Sequence, residues 1–130
     1  MSQTAEAPAL PYEIIGGRPV VQRLVDCFYD LMDQEADYAA LRAIHAPDLA
    51  PMRQSLTGFL CGWLGGPRDW FDANPGRCVM SAHAPIPITP QTAAQWMSAM
   101  DRALEDAGID PDLKTQIRTA FGRMSAGMVR

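Results

Sequence analysis

The sequence predicts an all-α fold. Every periodic apolar segment repeats at helical spacing, and no segment alternates apolar and polar residues as a half-buried strand does. Gly and Pro also cluster where those helical patterns start and stop. With 130 residues, 48% of them hydrophobic and 20% charged, the chain is long enough for one core and too apolar to stay disordered. It shows no internal repeat and no second domain. Residues 12–130 are therefore expected to form a single domain behind a flexible tail at 1–11.

That tail, MSQTAEAPALP, has no basic residue and no long apolar run, which is not the pattern of a signal peptide. Gly16-Gly17 opens the first clear helix, with Pro19 in its first turn, where a missing N–H costs little. Val20, Val21, Leu24, Val25, Phe28, Leu31 and Met32 form its apolar stripe, and Tyr29 sits at the stripe's edge. A shorter helix over 37–44 should stop at His45-Ala46-Pro47, because proline disfavours helical backbone in the residue before it. The next helix starts within 48–51. It carries Met52, Leu56, Phe59, Leu60, Trp63 and Leu64 on one side and ends at Gly65-Gly66-Pro67. Gly58 and Gly62 inside it each cost about 1 kcal/mol relative to Ala. Their spacing predicts a close approach, by a crossing helix before a flat ligand.

Between Pro67 and Pro90, five prolines with Asn74 and Gly76 break the chain into turns, leaving one short helix near 77–83. Thr89-Pro90 is an N-cap and first-turn pair for a long helix with Ala93, Trp96, Met97, Met100 and Leu104 on its stripe. Gly108 stops that helix. Asp110-Pro111 repeats the start signal, and Leu113, Ile117, Phe121, Met124 and Met128 mark the last helix.

Composition narrows the function classes. The net charge is −4 and the basic residues are scattered, whereas a nucleic-acid partner would need a basic face. The longest near-apolar stretch, 58–66, is far too short to span a bilayer. Three cysteines, Cys27, Cys61 and Cys78, lack metal-ligand spacing and are expected as reduced thiols of a cytoplasmic protein. No Cys27–Cys61 bridge follows from their positions. Eight methionines are flexible, polarisable fillers that suit an irregular apolar pocket, although ordinary core packing accounts for most of them.

His83 lies at the end of the short helix, four residues after Val79, with Ala84-Pro85 turning the chain away. Alone it decides nothing. Tyr29, His45 and Trp96 are polar-tipped residues in or beside the apolar faces of three other helices. The order and spacing of several motifs then become informative. They are Gly16-Gly17 before Phe28-Tyr29, Phe59 before Trp63-Leu64-Gly65-Gly66-Pro67, His83-Ala84-Pro85-Ile86-Pro87-Ile88, and Trp96 thirteen residues after His83. In this order the chain resembles the truncated haemoglobins of the second group, over about 12–128.

The resemblance implies a two-over-two helical sandwich around haem b (iron protoporphyrin IX), with His83 as proximal iron ligand. It implies that Tyr29, His45 and Trp96 face a ligand on the distal side. Phe28, Met52, Leu56, Phe59, Ile88 and Met97 are expected around the haem. The family often carries arginines before the proximal histidine to hold the haem propionates. Only Arg77 stands there here, and Arg68 or Arg53 are its candidate helpers. Met52 is bulkier than the small residue often found at its position, which would narrow the usual distal gate. The chemistry is consistent: neutral imidazole suits ferrous iron, and a phenol O–H, an indole N–H and an imidazole N–H can each donate to a bound diatomic.

Three functions compete at this point. The first is binding of O2 and other diatomics such as CO and NO. The second is peroxidase-like or nitric-oxide-oxidising catalysis on the same site, which would need an external reductase because no reductase domain is visible. The third is a haem-free helical interaction module, which would leave the spacing of Tyr29, Phe59, His83 and Trp96 to chance. Either a monomer or a homodimer is compatible with the sequence.

Overall fold

The computed structural model describes residues 10–75, 86 and 88–129. Arg77, Cys78, His83, the short helix expected near 77–83 and most of the tail lie outside them. Every regular element among the described residues is helical. In chain order these are α1 (Pro11–Ile15), α2 (Arg18–Gln34), a single 3-10 turn (Ala36–Tyr38) running into α3 (Ala39–Ala43), α4 (Ala50–Trp63), α5 (Asp69–Ala73), α6 (Pro90–Asp106) and α7 (Pro111–Met128).

The punctuation marks read from the sequence are where the long helices begin and end. Thr89 caps α6: its hydroxyl accepts from the Thr92 N–H at 3.1 Å, while the Thr92 hydroxyl accepts from the Thr89 N–H at 3.0 Å. Asp110 caps α7 through its carboxylate, which accepts from the Leu113 N–H at 3.1 Å. Pro19, Pro51, Pro90 and Pro111 all sit in first turns. Gly65 and Gly108 take left-handed backbone at φ 97° and 70° just past α4 and α6, a conformation that costs glycine least.

Two five-residue helices, α1 and α5, have no counterpart among the sequence-based expectations. Tertiary contacts hold α1: the Tyr12 N–H donates to the Leu64 carbonyl at 2.9 Å, and its hydroxyl accepts from the Arg18 N–H at 3.0 Å. A Cβ on Gly66 would stand 2.6 Å from the Tyr12 ring, so Gly66 is what lets that ring lie flat on the chain. Helix α5 explains the glycines of α4. A Cβ at Gly58 would meet Trp70 Cβ at 3.0 Å, and one at Gly62 would meet Phe71 Cε2 at 2.5 Å. The close approach is by side chains of a short crossing helix, not by a ligand.

Helix α2 packs on both α4 and α6, and α6 packs on α7. The result is a two-over-two sandwich, α2 and α4 over α6 and α7. Its centre is the fully buried set Val21, Leu24, Val25, Phe28, Leu60, Met100, Leu104 and Ile117, drawn from all four long helices at the predicted stripe positions. Arg53 ties α4 to α2 by reaching Asp26 at 3.1 Å and Asp30 at 2.8 Å. No described helix is long and apolar enough to cross a membrane.

Candidate functional site

The four long helices do not fill the space between them. A cavity of about 510 Å³ opens between α2, α4, α6 and α7, within the range of small-molecule and cofactor sites. Each element contributes one face at helical spacing. Tyr29 comes from α2; Met52, Leu56 and Phe59 line up at i, i+4 and i+7 on α4; Thr92, Ala93 and Trp96 come from α6; Phe121, Met124 and Met128 come from α7. Leu41, Ile44 and His45 close one end, with Trp70, Asn74, Ile86 and Ile88 completing the wall.

Seven of the residues expected at a ligand site are thereby brought together: Tyr29, His45, Met52, Leu56, Phe59, Ile88 and Trp96. Phe28 and Met97 stand elsewhere. Phe28 is fully buried behind the wall, its ring 5.0 Å from Tyr29 and 5.1 Å from Trp96 between centroids. It is therefore a backing residue for the two polar rings. Met97 follows Trp96 by one residue, about 100° round the helix, and points to the α6–α7 interface. Its Cε lies 3.9 Å from where a Gly122 Cβ would stand. His83 and Arg77 lie outside the described residues. Of the helpers considered for Arg77, Arg53 is committed to Asp26 and Asp30, and the Arg68 guanidinium lies over the Phe71 ring at 4.5 Å.

Tyr29 is 6% exposed, and its hydroxyl makes no hydrogen bond to any described residue. Burial pushes its pKa up to about 12, against the opposing pull of the nearby Arg53 charge. The phenol is thus neutral, and its O–H donates to no described residue. The Trp96 indole N–H likewise has no partner among the described residues. Its ring is wedged between Phe28 at 5.1 Å and Phe121 at 5.5 Å.

His45 is set differently. Its Nδ1 lies 2.8 Å from the Leu41 carbonyl, and a carbonyl can only accept. Nδ1 therefore carries the hydrogen, and Nε2 of the neutral ring is an acceptor. A second N–H exists only in the imidazolium. The ring meets Tyr29 edge-on at 6.1 Å between centroids.

Phe121, Met124 and Met128 were readable only as a core stripe, and Trp70 fell in a stretch without helical period. No local signal separates a residue that faces a cavity from one that faces a packed core. The thiols play no visible part in the site. Cys27 and Cys61 are free, and burial raises the pKa of both, which keeps them as unreactive thiols.

Comparison with known proteins agrees with this architecture. The family model for bacterial-like globins matches residues 11–130. A group 2 truncated haemoglobin of Bacillus subtilis (strain 168) is 31% identical over 114 residues, 88% of this chain and 81% of the relative. Two solved structures superpose closely. One is a cold-adapted truncated haemoglobin from Pseudoalteromonas haloplanktis TAC125, with TM-score 0.89, 30% identity, and coverage of 94% of this chain and 98% of that one. The other is a group II 2-on-2 haemoglobin from Agrobacterium tumefaciens, with TM-score 0.92, 28% identity, and 98% of each chain covered. The chain belongs to the bacterial-like globins, and within them to the group II truncated haemoglobins with the two-over-two helical sandwich.

Proposed function

We propose that this chain binds haem b in the 510 Å³ cavity through His83 and holds O2, CO or NO there, with Tyr29 and Trp96 as hydrogen-bond donors. Globin membership implies a haem and a small gaseous ligand. The observation that carries the finer reading is the buried Tyr29 hydroxyl, which lines the cavity with no partner among the described residues. A largely apolar wall that carries Tyr29 and Trp96 among its polar groups fits a flat, mostly apolar macrocycle that carries a small polar ligand on one face.

When bound, the haem supplies a ferrous iron that takes a diatomic ligand. The chain's own residues do the rest. Tyr29 donates its hydroxyl hydrogen to the ligand's electron-rich end, and Trp96 donates its indole N–H. His45, with Nδ1 held by Leu41, accepts at Nε2 when neutral and joins the donors only when protonated. Met52, Leu56 and Phe59 exclude water, which strengthens each of these hydrogen bonds. Arg77 is the residue assigned to the propionates.

A second reading, peroxide reduction on the same site with an external electron donor, is favoured by one observation. Trp96 is not an isolated ring but begins a series of ring contacts that leads out of the cavity.

The deciding experiment is the absorption spectrum of purified protein, ferric and dithionite-reduced, for wild type and His83→Ala. A Soret band with five-coordinate ferrous features that are lost or altered in the variant is expected. A protein that stays colourless after reconstitution with hemin would overturn the assignment and promote the haem-free interaction module.

A further inference from the structure

We propose that Trp63 is the point at which this chain takes single electrons from small phenolic reductants and passes them through Phe121 and Trp96 to the cavity. The inference rests on the haem reading above. Trp96 and Phe121 both line the cavity, whereas Trp63 does not. The centroids of Trp96 and Phe121 are 5.5 Å apart, and those of Phe121 and Trp63 are 5.2 Å apart with ring planes tilted by 33°. Phe121 is 3% exposed, while Trp63, the last residue of α4, is only half-buried. Three rings in contact thus connect the cavity with a residue that solvent reaches.

The chemistry of the rings assigns their roles. An indole gives up an electron far more readily than a phenyl ring, so the two tryptophans are the stopping points and Phe121 couples them. A phenol must shed its proton as it is oxidised, and the Tyr29 hydroxyl donates to no described residue that could take it. An indole can hold the charge for a time as a radical cation. Trp70 also lines the cavity and is itself half-buried, and its ring partners are Phe59, another cavity residue, and Phe71. Phe71, 5.1 Å from Trp70, lies under the Arg68 guanidinium at 4.5 Å. That fixed positive charge opposes a cationic radical nearby.

The oxidant is hydrogen peroxide. Breaking its O–O bond to give two waters consumes two electrons and two protons. Each electron leaves Trp96, is replaced from Trp63, and is replaced there by a phenol. The phenol gives up one electron and one proton and departs as a phenoxyl radical. Two phenols are consumed per peroxide, and their two protons balance the two waters.

The test uses haem-loaded protein treated with hydrogen peroxide and a nitroso spin trap without added phenol, the adducts being located by peptide mass spectrometry. In wild type the expected adduct is on Trp63. Trp96→Phe and Phe121→Leu, compared at equal Soret absorbance, should lower it by about tenfold or more. Added phenol should suppress it in wild type. Trp63 adducts that persist undiminished in both variants would mean direct attack from solution and would overturn the route. Adducts confined to Trp70 or Tyr29, or none on Trp63, would overturn it equally. Each substitution keeps an apolar side chain, and Phe121→Leu carries the test by itself, because Trp96 is also assigned to the bound ligand. A protein without a Soret band fails at the haem reading instead, so the two failures are distinguishable.

Discussion

The buried hydroxyl of Tyr29 donates to no described residue, and a hydrogen bond from it to an accepting ligand is worth about 1–3 kcal/mol. Tyr29→Phe should therefore raise the O2 dissociation rate by about tenfold or more, measured by stopped-flow or flash photolysis. An unchanged rate would remove Tyr29 from the ligand's surroundings. The same burial has a consequence in alkali. The native pKa is pushed up to about 12 from an ordinary 10, so below pH 10 both the native and the unfolded chain keep the proton and the contribution to stability is complete. Between about pH 10 and 12 the unfolded chain loses the proton while the native chain holds it, and about 3 kcal/mol of stability is lost. Melting temperatures of wild type should fall more steeply over that range than those of Tyr29→Phe; parallel curves would refute the shift. The identities of Tyr29, His45 and Trp96 as polar tips beside apolar stripes were legible in the sequence. The proton's place on His45 was not, because it depends on the Leu41 carbonyl 2.8 Å from Nδ1.

Glycine separates local propensity from packing at the level of the helix. Gly62 and Gly122 both sit inside helices, where Ala would be favoured by about 1 kcal/mol. A Cβ at Gly122 meets only Met97 Cε at 3.9 Å, an ordinary contact, whereas one at Gly62 comes within 2.5 Å of Phe71 Cε2. Gly122→Ala should stabilise the protein by about 1 kcal/mol. Gly62→Ala should destabilise it by about 1–2 kcal/mol, since forcing apart a packed ring costs more than propensity returns. Urea unfolding midpoints of the two variants decide the matter, and a shift of both in the same direction would refute the packing account. The sequence showed that something comes close to Gly58 and Gly62, but α5 itself was invisible. Five residues carry too little period to register, and Trp70 and Phe71 are held by the surface of α4.

The whole molecule is a sandwich with a cavity beside its packed core, and that carries its own prediction. The walls of the 510 Å³ cavity are largely apolar, so a group bound there buries apolar surface. A ligand at a thousandfold excess over its Kd adds about 4 kcal/mol, which for a chain this size is about 10–20 °C in melting temperature. Haem extraction should lower Tm by that amount, and added hemin should restore it, as followed by circular dichroism. Coincident melts of the stripped and loaded protein would mean that the cavity is not the haem's place.

The sequence alone determined the number and extent of the long helices, their caps at Thr89 and Asp110 and the identity of the family, because period, punctuation and motif spacing are local properties of the chain. Tertiary structure decided which stripe residues face space and which face neighbours. It placed Phe28 behind Tyr29 and Trp96, turned Met97 to the α6–α7 interface, folded α1 and α5, and committed Arg53 to Asp26 and Asp30. The physical reason is that a helical stripe fixes which side of a helix is apolar, while a cavity arises only from how far apart four such sides are held.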